Sequence, residues 1–176
     1  MYPENVIQKP KFSRKKLALI IVASVLFPPL LSILLVAFVV QPVRNEGTGM
    51  LPTIRNGDKI LLRKSVATLN RGDIVVLHYP PNPSQSFIKR IVGLPNETLS
   101  IDANGKLIIN GSPVDEPYIS PDFYQHPRKT PELKIPPDHY FVMGDNRDAS
   151  NDSRQFGTVP KKLIYGKYLL TYQKAP

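Results

Sequence analysis

A lysine within an apolar, strand-like run is the residue of this sequence best suited to chemistry. Lys89 stands in SFIKRIVG, residues 86–93, and in a strand it would share a face with Phe87 and Ile91 because side chains alternate. An apolar environment removes water from an ammonium group and lowers its pKa, and a lysine whose pKa falls several units below about 10.4 can act as a general base near neutral pH. The pattern alone also fits an exposed basic pair, Lys89 and Arg90.

Other kinds of chemical site are not supported by the sequence. The 176 residues contain no cysteine, which excludes a thiol nucleophile, a disulfide and a cysteine-ligated zinc ion. His78, His126 and His139 fall at unrelated spacings, so we interpret them as surface or loop residues and predict no metal site. The sequence has no glycine-rich phosphate loop and no nucleic-acid-binding module, and we expect no cofactor.

An uncharged segment near the N-terminus is long enough to cross a membrane. Residues 17–40 would form roughly 36 Å of helix, against about 30 Å of hydrocarbon, and Pro28-Pro29 should kink it. A cleavable signal peptide would have a shorter apolar core and a small-x-small cleavage site. Five basic residues and one acidic residue in positions 1–16 place the N-terminus in the cytoplasm by the positive-inside rule. We therefore predict a basic cytoplasmic tail (1–16), a retained transmembrane anchor (17–40) and an extracytoplasmic domain (44–176).

The domain after the anchor is predicted to be β structure. Proline makes up 19 of the 176 residues, about twice its usual share of roughly 5%, which argues against a mostly helical domain. Short apolar runs are separated by turn signals such as Asn104-Gly105, while 113–137 holds seven prolines and predicts an extended surface loop. The predicted fold class is mainly β, an antiparallel sheet domain after one N-terminal transmembrane helix. The expected strands lie in 59–64, 74–79, 86–93, the hairpin 98–110, 139–144 and 163–172.

Three segments, taken in order, resemble the bacterial type I signal peptidase family. They are EGTGMLPTIRNGD (46–58), FIKRIVGLPNETLSI (87–101) and YFVMGDNRDASNDSRQFGTVP (140–160). The third is the most specific, and the second departs from the family at Asn96, where glycine is usual. The resemblance extends from the anchor almost to the C-terminus, and it implies the signal-peptidase type of β domain.

The resemblance implies a membrane serine endopeptidase of the protein-export pathway in the bacterial plasma membrane. Its partners would be the lipid bilayer and the signal peptides of exported preproteins, which the family cuts after small-x-small sequences. Lys89 matches the general base that takes the proton of the nucleophilic serine, and Ser150 matches the serine that orients the lysine amine. Four further positions match residues that support the active-site loop, namely Asp145, Arg147, Asp152 and Arg154. Four others match residues near the cleft and the membrane, namely Gly47, Met50, Leu51 and Pro52, of which Met50 and Leu51 could equally be core residues.

The nucleophile position departs from the family. The serine expected immediately before Met50 is replaced by Gly49, although the neighbouring residues fit the pattern. Glycine has no hydroxyl and cannot form an acyl-enzyme, but the Gly49 N–H could still donate to an oxyanion. The hydroxyl of a second serine, which some relatives have at the position of Gly47, is absent as well. We therefore predict that the chain, as written, is inactive as a signal peptidase and binds signal peptides or a partner.

Three alternatives remain open from the sequence. The chain could be an active peptidase with another nucleophile, for which Thr48 is the nearest candidate, although strand alternation would point it away from the face of residue 49 unless the local turn rearranges. Gly49 could instead replace a native serine. The chain could also be a membrane-anchored interaction module without catalytic function.

Overall fold

The computed structural model describes residues 13–175, so most of the predicted basic tail, 1–16, lies outside the described residues. The chain divides into two units after Phe38. The first contains the N-terminal helix and the second contains all of the strands. The position of this division is close to the predicted boundary between anchor and domain.

The N-terminal unit is a single long apolar helix, α1, Arg14–Val39. The helix continues through Pro28 and Pro29, and the Ser32 hydroxyl donates a hydrogen bond to the Pro28 carbonyl, which partly satisfies the backbone there. Its window Arg14–Ile33 has a mean hydropathy of 2.1, and its apolar side chains are exposed. The helix is long and apolar enough to cross a membrane.

The second unit is built on a seven-stranded antiparallel sheet with the order β1-β2-β11-β3-β4-β9-β10. Strand β4 is the longest, and its central position brings it next to β3 on one side and β9 on the other. The prediction of a mainly β, antiparallel domain is confirmed. The strands of this sheet are β1 Val40–Arg44, β2 Lys59–Arg63, β3 Ile74–Tyr79, β4 Asn82–Gly93, β9 His139–Met143, β10 Val159–Pro160 and β11 Ile164–Gln173.

A second, four-stranded antiparallel sheet has the order β7-β6-β5-β8. Its β5–β6 pair is the hairpin predicted from Asn104-Gly105, and Gly105 adopts a φ of +82°, which a turn of this kind requires and glycine accepts without strain. The four strands are β5 Thr98–Ile101, β6 Leu107–Ile109, β7 Ser112–Pro113 and β8 Thr130–Lys134.

The prediction that 113–137 forms only an extended loop is wrong in part. Strand β8 pairs with β5 inside this range, even though it contains Pro131. Proline lacks an N–H donor but is tolerated at an edge strand, and β8 lies at the edge of its sheet. The rest of the segment contains one short 3-10 helix, Pro121–Phe123.

The backbone conformation of Asn96 explains why asparagine can replace the glycine that is usual at this position of the family. Asn96 has a φ of 68°, in the left-handed region that glycine occupies most easily. Asparagine is among the few other residues that visit this region routinely. The substitution of the usual glycine therefore preserves the turn between β4 and β5.

Strand β4 contributes side chains to two hydrophobic cores on its opposite faces. Ile91 belongs to a core that also contains Val142, whereas Val92 belongs to another with Phe141. All four side chains are fully buried. Alternation then places Lys89 on the same face as Ile91, at the end of the first core.

Candidate active site

Residue 49 and Lys89 lie side by side. A β-carbon built on Gly49 would be 3.4 Å from Lys89 Nζ, 3.7 Å from the Ala149 carbonyl oxygen and 3.8 Å from Ser150 Oγ. These are ordinary contact distances, and the φ of Gly49 lies outside the left-handed region. A side chain at this position would therefore fit, and it would lie next to the amine.

The segment that carries Gly49 is a compact turn between β1 and β2. The Leu51 N–H donates to the Thr48 carbonyl at 3.1 Å, and the Ile54 N–H donates to the Met50 carbonyl at 2.9 Å. Because the segment is a turn and not an extended strand, strand alternation does not orient Thr48, and the exception allowed for a rearranged turn applies. Thr48 is exposed.

Lys89 is buried, with 7% of its surface exposed, so the alternative of an exposed basic pair is wrong. Burial lowers the pKa of Lys89 from 10.5 to about 8; the Asp152 carboxylate opposes this shift and Arg154 adds to it. The amine lies 5.1 Å from the centre of the Phe87 ring and makes no side-chain hydrogen bond within the described part of the chain. A substantial fraction of Lys89 is thus neutral near pH 8.

We expect Lys89 to titrate near pH 8 in the folded protein, well below an ordinary lysine at 10.5. Its amine is desolvated, so the charged form is disfavoured and the proton is lost as the pH rises through about 8. The measurement is a pH titration of ¹³Cε chemical shifts in lysine-labelled protein, with the Lys89→Met variant to assign the signal. A resonance of Lys89 that moves only above pH 10 would contradict the burial argument.

The loop after β9 packs directly against the turn of Gly49. A β-carbon on Gly144 would lie 2.3 Å from the Gly49 carbonyl oxygen and 2.3 Å from Ser150 Oγ, so only glycine fits there. The Asn146 N–H donates to the Gly49 carbonyl at 3.1 Å, and its Nδ2 donates to the Thr48 carbonyl at 3.2 Å. This loop therefore fixes the position of residue 49.

Asp152 and Arg154 form the buried pair that the resemblance implies. Arg154 donates from Nε and from its terminal nitrogen to the two Asp152 oxygens, each at 2.8 Å, and Asp152 also accepts the Gly144 N–H at 3.0 Å. Burial alone would raise the pKa of Asp152, but these donors outweigh it and hold that pKa below its usual value. Asp152 also begins the short helix α2, Ser153–Phe156, by accepting the Arg154 N–H.

Ser150 lies beside this pair and beside residue 49. Its side chain is buried, and its hydroxyl helps to lower the pKa of Asp152, although Oγ makes no hydrogen bond of normal geometry within residues 13–175. No hydrogen bond joins Ser150 to Lys89 in this described range. The role of Ser150 in orienting the Lys89 amine therefore stays a prediction.

Arg90 links the base strand to the turn of residue 49. It donates to both oxygens of Asp145, from Nε at 2.8 Å and from Nη2 at 2.6 Å, and Asp145 also accepts the Thr53 hydroxyl at 2.5 Å. Asp145 is fully buried and Arg90 is 8% exposed. Both contacts of Asp145 join positions distant in the chain, so no local pattern predicted them.

A second buried pair ties the proline-rich segment to the same loop. Arg147, which is fully buried, donates to Glu116 at 2.5 and 3.0 Å and to the Gly144 carbonyl at 3.1 Å. Tyr118 donates to Glu116 at 2.6 Å, and its ring lies 4.0 Å from the Arg90 guanidinium carbon. No local signal in the sequence singled out Glu116 or Tyr118.

We expect Glu116→Ala to lower the free energy of unfolding by about 3–5 kcal/mol, because it leaves the Arg147 charge buried without its partner. Chemical denaturation of the full chain in detergent, followed by the circular dichroism of its β structure, measures this loss. Glu132→Ala is the matched control, since Glu132 is exposed and makes no ion pair within residues 13–175. Equal stability of the two variants would show that the pair is not important for folding.

A cleft of about 340 Å³ lies beside the turn and strand β4. Gly47, Met50 and Lys89 line it, whereas Leu51 and Pro52 are not among the lining residues. The expected position of these two near the cleft and the membrane stays a prediction. Pro52 is exposed, and Met50 is also part of a hydrophobic core. The lining is completed by Val43, Arg44, Asn45, Glu46, Thr48, Gly49, Val76, Ser86, Phe87, Ile88, Ala149, Asn151 and Tyr165.

One edge of β4 is open along this cleft. Residues 86–89 pair with β3, whereas pairing with β9 starts only at Arg90. Backbone groups on the open edge can bind an extended peptide as an added strand.

Among residues 13–175, no group of three or more His, Asp or Glu side chains is placed to hold a metal ion.

Comparison with known proteins shows which family the sequence resembles. Residues 14–173 match the family described as signal peptidase, peptidase S26. The chain is 36% identical over 178 residues to signal peptidase I S of Bacillus subtilis strain 168, covering 94% of this chain and 91% of that protein. It is 34% identical over 173 residues to the probable signal peptidase I-1 of a Synechocystis strain, covering 92% of this chain and 83% of that protein.

A solved structure is similar as well. The crystal structure of a signal peptidase I from Enterococcus faecalis V583 has 32% sequence identity and a TM-score of 0.50, covering 60% of this chain and all of that chain. The N-terminal apolar helix of this chain, together with its similarity to these relatives, indicates that the chain is anchored in a membrane. The sequence match over nearly the whole chain, together with the shared fold, confirms the resemblance: this chain belongs to the signal peptidase family, peptidase S26.

Proposed function

We propose that this chain binds the signal peptides of exported preproteins in the cleft beside Gly49 and Lys89 but does not cleave them through an acyl-enzyme. The observation that carries the proposal is the position of Gly49. Its β-carbon would lie 3.4 Å from Lys89 Nζ, so the arrangement of a serine–lysine peptidase is present except for the hydroxyl. Without that hydroxyl, residue 49 cannot form a covalent intermediate with the peptide.

Each remaining group keeps a role in this proposal. Lys89, with its lowered pKa, is the general base, and Ser150 positions its amine. The Gly49 N–H makes no hydrogen bond within residues 13–175 and can donate to the carbonyl oxygen of a bound peptide. Asp145, Arg147, Asp152 and Arg154 hold the loop that positions them.

The open edge of β4 supports an extended peptide as the ligand. Backbone hydrogen bonds along residues 86–89 would supply affinity irrespective of sequence. The cleft of about 340 Å³ beside this edge has room for side chains of a bound peptide. The preference for small-x-small sequences is what membership of the family implies.

The proposed location is the plasma membrane of a bacterium, with one membrane crossing. The apolar part of α1 would be the anchor, 17–40, and the basic tail, 1–16, would lie in the cytoplasm. The domain of residues 44–176 would then face the outside, where signal peptides emerge during export. A protease protection assay on sealed membrane vesicles tests this orientation.

Direct binding tests the proposed function. The full chain in detergent micelles is titrated into a fluorescent signal peptide that has alanine at positions −1 and −3, and anisotropy is recorded. We expect saturable binding with cleavage far slower than by the Gly49→Ser variant, and weaker binding of a control peptide with leucine at both positions. Absence of saturable binding, or cleavage as fast as by the Gly49→Ser variant, would overturn the proposal.

Thr48 supports a second candidate, an active peptidase with a threonine nucleophile. It lines the cleft, and the compact turn leaves its orientation unrestricted by strand alternation. If the chain cleaves the alanine-containing peptide and Thr48→Val abolishes that cleavage, this second candidate is correct. If the chain neither cleaves nor binds signal peptides, the role of a membrane-anchored interaction module is favoured.

A further inference from the structure

Three polar groups surround the point where a side chain on residue 49 would begin. They are Lys89 Nζ, the Ala149 carbonyl oxygen and Ser150 Oγ, at 3.4, 3.7 and 3.8 Å from that point. We call these three groups the hydroxyl cradle. They combine an amine, a carbonyl acceptor and a hydroxyl that can donate or accept.

Two members of the hydroxyl cradle belong to buried side chains, since Lys89 is 7% exposed and Ser150 is 6% exposed. Ser150 Oγ is itself buried, and within residues 13–175 it makes no hydrogen bond of normal geometry, although it lies close enough to Asp152 to help lower the pKa of that carboxylate. Lys89 Nζ lies beside it on the wall of the cleft. Buried polar side chains normally have partners, and a small hydroxyl compound needs two to four polar groups of this kind to be held in place.

We infer that the hydroxyl cradle binds a small hydroxyl compound, either water or a primary alcohol, and directs it at the scissile carbonyl of a signal peptide. This inference rests on the proposed function, because the peptide must first occupy the cleft. It goes further by assigning an attacking group that the chain itself does not supply. The consequence is a slow acyl transfer to an external hydroxyl without a covalent enzyme intermediate.

The step is balanced without any further reactant. The hydroxyl oxygen forms a bond to the carbonyl carbon while the neutral Lys89 amine takes the hydroxyl proton. The carbon–nitrogen bond of the peptide then breaks, and the leaving amine receives that proton from Lys89. Water gives the signal peptide as a carboxylic acid, whereas methanol gives it as a methyl ester.

Mass spectrometry of the products tests this inference. The full chain in detergent micelles is incubated with a saturating amount of the alanine-containing peptide, in H₂¹⁸O buffer with increasing methanol. We expect ¹⁸O-labelled acid in water and a rising share of methyl ester with methanol. tert-Butanol offers the same hydroxyl on a bulkier group and should give no ester.

Variants connect the reaction to the hydroxyl cradle. Lys89→Met should lower the rate of product formation by about 10²–10⁴-fold, because general base catalysis is typically of that size. The exposed Lys162→Met is the matched control for the loss of one lysine. Gly49→Ala places a methyl group among the three polar groups and should abolish ester formation at saturating peptide.

The possible outcomes separate the sources of the hydroxyl. If ester forms and its formation requires Lys89, the hydroxyl cradle binds alcohols as well as water. If only acid forms and its formation requires Lys89, the hydroxyl cradle binds water alone. No product from a peptide that binds, or product formation that persists in Lys89→Met and Gly49→Ala, overturns the inference while leaving signal-peptide binding intact. Absence of peptide binding would instead contradict the proposed function.

Discussion

The Gly49→Ser variant is expected to cleave signal peptides about 10⁵- to 10⁶-fold faster than the chain as it stands, since loss of the nucleophile alone lowers turnover by about 2 × 10⁶-fold in a well-studied serine protease. The reason is geometric. The serine β-carbon would lie 3.4 Å from Lys89 Nζ, which brings its hydroxyl within reach of the base. The measurement is the cleavage rate of a purified preprotein with alanine at −1 and −3.

Gly49→Ala is the matched control for this gain. It adds the same β-carbon, with contacts of 3.4–3.8 Å that the site accepts, but it provides no hydroxyl. A rise in cleavage that occurs in both variants would come from a change in the backbone and not from a nucleophile. No cleavage by a folded Gly49→Ser protein that still binds the peptide would show that the turn does not present residue 49 to the substrate.

Lys89→Met, introduced into the Gly49→Ser variant, is expected to remove nearly all of the restored activity. In the same serine protease, loss of the base alone reduces turnover about as much as loss of the whole catalytic set, a factor of about 2 × 10⁶. Methionine preserves the apolar stem of the lysine but cannot accept a proton. The readout is the single-turnover cleavage rate, with Lys162→Met in the same background as the control.

The pH dependence identifies the function of the amine. Because burial lowers the pKa of Lys89 to about 8, the neutral form increases as the pH rises through this value, and the cleavage rate of Gly49→Ser should rise with it. In the Gly49→Ser variant that also carries Lys89→Met, the residual cleavage rate should not show this rise with pH. A rate that is constant between pH 6 and pH 9 would exclude Lys89 as the base.

The main strands could be predicted from the sequence because they depend on local patterns. Turn signals such as Asn104-Gly105 and alternating apolar residues define hairpins within a few positions. The local pattern around Lys89 fitted either a buried amine or an exposed basic pair, and the structure shows that Lys89 is buried. Its role as the base came from the family resemblance and stays a prediction. The position of Gly49 opposite Lys89 required the family resemblance, since 40 residues separate the two positions.

The structure was needed for features that depend on distant partners. Glu116 and Arg147 are 31 positions apart, and Thr53 and Asp145 are 92 apart, so no short pattern indicates either contact. Strand β8 was missed because prolines dominate its surroundings and only its edge position makes Pro131 acceptable. The orientation of Thr48 was predicted from strand alternation, but residues 48–54 form a hydrogen-bonded turn, so that alternation does not apply to Thr48.

Asp145 holds the turn and the base strand at once, because its carboxylate accepts hydrogen bonds from both Thr53 and Arg90. A local opening that moves Asp145 away from the turn or from strand β4 disturbs its hydrogen bonds to both Thr53 and Arg90. The two halves of the cleft should therefore fluctuate as one cooperative unit, and a state with a loose turn and an ordered base strand should be scarcely populated. A substitution at residue 49 should thus change the chemistry of this protein while the preorganised geometry of the cleft persists.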